Sequence, residues 1–102
     1  MKIAFKMKLK PGFAAEYKKR HDEIWPQLAT LLKENGISDY SIFLDEETNI
    51  LFAVQQQNGN SSQDLGSTAI VQKWWAYMAD IMETNPDQSP QSFPLALVFH
   101  LD

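Results

Sequence analysis

The stretch Tyr17-Lys18-Lys19-Arg20-His21-Asp22-Glu23-Ile24-Trp25-Pro26 holds the residue types best suited to chemistry in this chain. In a helix, Tyr17, His21 and Trp25 follow one another at i, i+4 and i+8 and stand on one face. That face offers a phenol, an imidazole able to carry a proton near neutral pH, and a flat apolar indole with one N–H donor. A proton carrier between two aromatic plates suits a small polar ligand with an apolar side, and sugars fit that description. The ordinary alternative is a partly buried helix face on which His21 is simply hydrogen-bonded.

Two further features add aromatic surface. Trp74 and Trp75 are adjacent, so on a helix they point about 100° apart, and both are buried only if the apolar stripe is wide. Either one packs in the core and the other in an interface, or they line a pocket and offer an indole donor. Tyr40, on a strand, taken alone reads as a core aromatic with a polar tip. No metal site is expected: His21 and His100 lie far apart in the chain, with no histidine pair or carboxylate cluster at ligand spacing. The four glycines are scattered, so there is no phosphate loop, and no Gly-x-Ser-x-Gly elbow is present. His100 reads as structural, and Asp22 and Glu23 as surface carboxylates.

The elements that position these residues follow from periodicity. Lys2 to Leu9 alternates, with Ile3, Phe5, Met7 and Leu9 on one face, which predicts a half-buried strand. Pro11-Gly12 breaks it. Apolar and aromatic residues at 13, 17, 21, 24, 25, 28, 31 and 32 then predict a helix to about Asn35, where Asn35-Gly36 stops it. Pro26 lacks an N–H and pushes Trp25 off helical angles, so a break is expected between His21 and Gln27. Pro26 then falls in the first turn of a second helical piece. Ser38 to Asp45 predicts a strand with Tyr40, Ile42 and Leu44 on one face. Glu46 to Asn49 is a turn, and Ile50 to Gln56 the returning strand. Asn58 to Ser62 is a loop by composition. Ser67-Thr68 is expected to cap a second long helix ended by Asn85-Pro86-Asp87, and Leu95 to Leu101 to form the last strand. The order β-α-β-β-α-β is that of an α+β, ferredoxin-like sandwich, an antiparallel sheet with both helices on one face. An apolar second face would favour sheet-on-sheet pairing of two copies.

Composition bounds the function. At 102 residues the chain is expected to be one domain, 1–102. A net charge of −4 disfavours nucleic-acid and anionic-membrane partners. With no cysteine, thiol catalysis, disulfides and thiolate metal sites are excluded, and a reducing compartment fits. No apolar run approaches the ~18 residues of a membrane helix, and no signal-peptide core is seen, so a cytoplasmic location is expected.

Tyr17, the Arg20-His21-x-x-Ile24-Trp25-Pro26 string, Asp39-Tyr40-Ser41-Ile42, Trp74-Trp75-x-Tyr77-Met78 and Asn85-Pro86-Asp87-x-Ser89-Pro90 together resemble the L-rhamnose mutarotase family, in order and in compatible spacing over nearly the whole chain. The resemblance implies a dimeric α+β barrel of ferredoxin-like units, a homodimer acting on L-rhamnose or a related monosaccharide. It implies that His21 is the catalytic acid/base and that Tyr17, Tyr40, Trp74 and Trp75 contact the sugar, with no metal and no cofactor. The chain departs from the family pattern at Asp22-Glu23, at Leu65 and across Asn58 to Gly66, which bears on the pocket edge.

Mutarotation needs one group able to give and take a proton near pH 7, donors for the hydroxyls, and an apolar wall for the 6-methyl and C–H face of the sugar. His21, the tyrosines and the tryptophans match those needs in turn. Two other readings share the fold: a small monooxygenase, and a non-catalytic sugar- or metabolite-binding dimer.

Overall fold

In the computed structural model, which describes residues 1–59 and 61–102, β1 (Lys2–Lys8) alternates as its sequence requires. Phe5, Met7 and, just past the strand, Leu9 are buried, while Lys2 and Lys8 face water. After the Pro11-Gly12 turn comes α1 (Ala14–Asp22), then a break, then α2 (Pro26–Glu34). Trp25 is extended, with φ −61° and ψ 128°, as the residue before a proline must be. Pro26 is the first residue of α2, where its missing N–H leaves no acceptor unpaired. Gly36 ends α2 at φ +81°, and a Cβ there would stand 2.9 Å from the Asn58 carbonyl oxygen, so both conformation and space demand glycine.

β2 (Ile37–Asp45) and β3 (Ile50–Gln57) form the central hairpin. The Asp45 carboxylate closes its turn by accepting the Glu47 N–H and the Thr48 hydroxyl. A 3-10 turn (Ser62–Leu65) follows, fixed by a reciprocal capping box between Ser61 and Asp64. α3 (Ala69–Met78) and β4 (Ser92–Leu95) complete the chain. The sheet has four strands in the order β2-β3-β1-β4, every neighbouring pair antiparallel. This is the expected α+β, ferredoxin-like β-α-β-β-α-β arrangement, with the first helical segment split at Pro26.

One helix-side layer forms the core: Phe5, Met7, Leu51 and Ala53 from the sheet against Leu28, Val71, Trp74 and Met78 from the helices. Among the described residues no helix covers the opposite sheet face. There the register lines up Phe43, Phe52, Lys6 and Phe93 in one row across all strands, and Ser41, Val54, Ala4 and Leu95 in the next. Phe43 is 63% exposed and Phe93 43%.

A bulge in β2 decides where Tyr40 points. Ser38 pairs with Gln56 and Ser41 with Val54, so Asp39 and Tyr40 together oppose Gln55. Asp39 takes φ +46°, the left-handed region that the extra residue of a bulge often occupies. The parity of the strand is thereby reset, so that Tyr40, Ile42 and Leu44 share the helix side with Ile37.

Several expected boundaries move. The last strand is not Leu95 to Leu101 but Ser92–Leu95; residues 96–102 take no regular structure, and Leu97, Val98, Phe99 and Leu101 are 72%, 93%, 74% and 80% exposed. An apolar alternation makes a strand only where it finds ladder partners, and the ladder on β1 takes 92–95 against Ala4–Met7 and ends there. α3 stops at Met78 rather than near Asn85; Met82 and Thr84 instead form isolated bridges to Leu9 and Pro90. Thr68 stands at the N-cap of α3, but its hydroxyl donates back to the Leu65 carbonyl at 2.6 Å instead of capping the helix. Of the predicted loop Asn58 to Ser62, Ser62 already belongs to the 3-10 turn, and Asn60 lies outside the described residues.

Candidate active site

His21 sits in the last turn of α1 because Pro26 ends that helix just beyond it. Its ring lies over Tyr17, one turn earlier, with centroids 4.2 Å apart and planes 27° from parallel. It meets the edge of Trp74 from α3 at 5.4 Å. Nδ1 lies 3.0 Å from the Tyr17 carbonyl oxygen. A carbonyl only accepts, so Nδ1 carries the hydrogen, and the neutral ring keeps its lone pair on Nε2. Burial pushes the imidazole below its ordinary pKa, only partly offset by the Tyr17 carbonyl and by Asp22. At neutral pH His21 is therefore a base with a fixed tautomer.

A cavity of about 830 Å³ opens beside this ring, large enough for a monosaccharide. Tyr17, His21, Tyr40, Trp74 and Trp75 all line it, although they come from α1, β2 and α3. Trp74 is buried in the core and Trp75 half-buried, and both line the cavity. Ile42, Leu44, Leu51 and Val71 supply the apolar floor, and Lys18, Asp22, Glu46 and Gln63 are among the polar residues around it. The Lys18–Asp22 pair at 2.8 Å is an ordinary exposed i,i+4 ion pair. Burial, with the neighbouring Tyr40, pushes the Tyr17 phenol far above the tyrosine range, so it stays neutral.

Trp25 is not part of this lining. The break swings it off the Tyr17–His21 face, where it stacks on Tyr77 at 5.6 Å and meets Trp74 edge-on at 5.1 Å. Arg20 locks that cluster from outside. Its guanidinium sits 4.5 Å above the Tyr77 ring, donates to the Tyr77 carbonyl, and pairs with Glu16 and Asp80. Trp25 and Arg20 thus brace the back of Trp74 and tie α1 to α3. His100 pairs with Asp102 on the exposed tail and takes no part in the cavity.

Two polar residues escaped the sequence reading. Gln55 is fully buried and Ser62 nearly so. Gln55 donates to Ser62 Oγ at 3.0 Å and accepts the Ser62 N–H at 2.9 Å, while Ser62 Oγ lies 3.5 Å from Tyr40 Oη. The readable signal was parity: Gln55 continues the inward series Leu51, Ala53, and a polar residue at a core position calls for a partner. Among the described residues no group of three or more histidines, cysteines or carboxylates is arranged to hold a metal, and no helix is long and apolar enough to cross a membrane.

The family model for L-rhamnose mutarotase matches residues 2–101. The L-rhamnose mutarotase of Bacteroides thetaiotaomicron is 68% identical over 100 residues, covering 97% of this chain and 96% of that protein. That of Phocaeicola vulgatus is 62% identical over 100 residues, with the same coverage. The crystal structure of an L-rhamnose mutarotase from Formosa agariphila superposes with a TM-score of 0.94 at 56% identity, covering 100% of this chain and 99% of the other. An antibiotic biosynthesis monooxygenase superposes at 0.59 with 11% identity, covering 95% and 97%, and so shares the fold alone. Identity of this extent, running through the helices and strands that build the cavity, leaves one assignment: the chain belongs to the L-rhamnose mutarotase family, a family of isomerases.

Proposed function

We propose that the cavity binds L-rhamnose, that His21 is its catalytic acid/base, and that Tyr17, Tyr40, Trp74 and Trp75 hold the sugar. The observation that carries this reading is the buried, neutral His21, its tautomer set by the Tyr17 carbonyl and its Nε2 without a partner among the described residues. Interconverting the α and β anomers requires the C1 hydroxyl to lose a proton and the ring oxygen to gain one. The ring opens, the C1–C2 bond rotates, and the ring recloses on the other face of C1. His21 Nε2 takes the C1 proton. The indoles of Trp74 and Trp75 present apolar surface to the C–H face and 6-methyl group. A positioned base is worth roughly 10² to 10⁴ in rate, enough for a reaction that water already supports.

The chain acts as one domain and as a homodimer. The apolar rows around Phe43, Phe52 and Phe93 and the exposed Leu97, Val98, Phe99 and Leu101 are surfaces that a second copy would cover. A cysteine-free chain suits a reducing compartment, the cytoplasm.

NMR saturation transfer between the anomeric protons of L-rhamnose tests the reading. The expected result is rapid exchange with the wild type and a loss of at least about 10² in His21→Ala, with sugar binding retained. Binding without accelerated exchange by the wild type would make the protein a sugar-binding module instead.

A further inference from the structure

The cavity lining contains a single side-chain amide, that of Gln63. It stands on the 3-10 turn Ser62–Leu65, and the residues on either side of it are locked. Gln55 holds Ser62 at two atoms: the Ser62 N–H donates to Oε1 at 2.9 Å, and Ser62 Oγ accepts from Nε2 at 3.0 Å. Asp64 closes the capping box by accepting the Ser61 N–H at 2.9 Å. The Gln63 N–H itself donates to Ser61 Oγ at 3.2 Å. The backbone of Gln63 is therefore fixed, and only its side-chain torsions remain to be ordered by a ligand.

The amide at the end of that side chain is barely engaged. Nε2 has one contact, 3.5 Å from Ser62 Oγ, beyond the usual range of an N–H···O bond. Oε1 has no partner among the described residues and is not sealed from the cavity. By contrast, the Ser62 N–H and Oγ serve Gln55, and Lys18 is paired with Asp22 at 2.8 Å. Gln63 thus offers the cavity a half-buried neutral group with both a donor and an acceptor open.

We infer that Gln63 is a further substrate contact, its amide clasping two neighbouring hydroxyls of the sugar. This rests on the mutarotase reading above. A primary amide carries an acceptor and a donor side by side. One hydroxyl of a vicinal pair donates to Oε1 while its neighbour accepts from Nε2. The C1 hydroxyl is the reacting group, which leaves those on C2, C3 and C4, and either vicinal pair among them includes C3. Such a grip suits the reaction. When the ring opens, C1 turns about the C1–C2 bond, and a hold on the hydroxyls beyond it keeps the opened sugar in place for reclosure. That hold is the same before and during the reaction, so it lowers KM and leaves kcat alone.

Anomer exchange over a range of concentrations, with L-rhamnose and with 3-deoxy-L-rhamnose, tests the assignment. Gln63→Met keeps the length of the side chain and removes the amide. With L-rhamnose it should raise KM about tenfold, for two lost hydrogen bonds, with kcat within about twofold. With 3-deoxy-L-rhamnose only one bond remains to lose, and the rise should be about threefold. Gln63→Ala, which cannot fill the space the amide leaves, should repeat the pattern. Equal KM penalties on the two sugars, an unchanged KM, or a loss confined to kcat would overturn the inference. Any of these with a wild type that exchanges L-rhamnose anomers refutes the Gln63 contact alone. A wild type that exchanges none refutes the mutarotase reading together with it.

Discussion

Gly66 shows how the pocket wall depends on one missing methyl group. Its backbone, at φ −65° and ψ −10°, is open to any residue, so conformation does not demand glycine here. Space does. A Cβ built on Gly66 stands 2.6 Å from Cζ3 and 2.7 Å from Cη2 of Trp75, against a comfortable carbon–carbon contact of about 3.5–4.0 Å. In Gly66→Ala something must therefore move by about 1 Å. The segment carrying Gly66 is tied at both ends: Gln72 donates to the Gly66 carbonyl at 2.8 Å, Thr68 to that of Leu65 at 2.6 Å, and Gln55 grips Ser62. The half-buried indole of Trp75 moves instead, and it moves within the cavity proposed to take the sugar. Overpacking costs about 1–3 kcal/mol, and a ring free to swing belongs at the low end. In a domain of this size about 1 kcal/mol is a Tm loss of roughly 4–8 °C. KM for L-rhamnose should rise about tenfold, which is about 1.4 kcal/mol of lost wall contact. Calorimetric melting and anomer exchange over a range of sugar concentrations read the two effects. Trp75→Phe removes the benzo ring that clashes, so in that background Gly66→Ala should cost no stability. An unchanged Tm and KM in Gly66→Ala, or an equal Tm loss in the Trp75→Phe background, would refute the steric account.

The pH behaviour follows from His21. Burial holds its folded pKa below the unfolded value of about 6.5, so as pH falls the unfolded chain binds the proton first. The stability tied to neutral His21 is complete above about pH 6.5 and is lost as pH falls from there through the folded pKa. His21→Asn should flatten that part of the urea-midpoint profile, and a profile of unchanged slope would exclude the cause. The acid limb of kcat/KM should have its midpoint below about 6.5, and a midpoint above it would remove His21 as the base. The apolar tail sets the third expectation. Burying Leu97 and Phe99 is worth about 1.5–3 kcal/mol each, and both copies of a dimer carry them, so Leu97→Ser with Phe99→Ser should weaken a dimer by roughly 10⁴ or more, seen by sedimentation equilibrium. Wild-type chains that sediment as monomers would remove the proposed interface.

Local patterns were legible where local physics decides. The alternation of β1, the Asn35-Gly36 stop and the Pro26 break all rest on the covalent and steric properties of a few neighbouring residues, and the structure realises each of them. Spacing marked Tyr17 and His21, and adjacency marked Trp74 and Trp75, as candidates; the roles of these four and of Tyr40 were implied by resemblance to a family motif, and all five line one cavity. Spacing also joined Trp25 to His21, and the break parted them. What only the tertiary structure decided were the relations between distant segments. The last strand went to Ser92–Leu95 because the neighbouring edge of β1 chose which residues could complete a ladder. Gln55 looked like one member of a polar glutamine run until strand parity buried it against Ser62, from a segment that composition marked only as loop. Tyr40 owes its direction to a bulge, a feature set by pairing across strands rather than by the propensities of one. Short-range sterics are written into adjacent residues, whereas the partner of a buried polar group is settled only when the whole chain has packed around it.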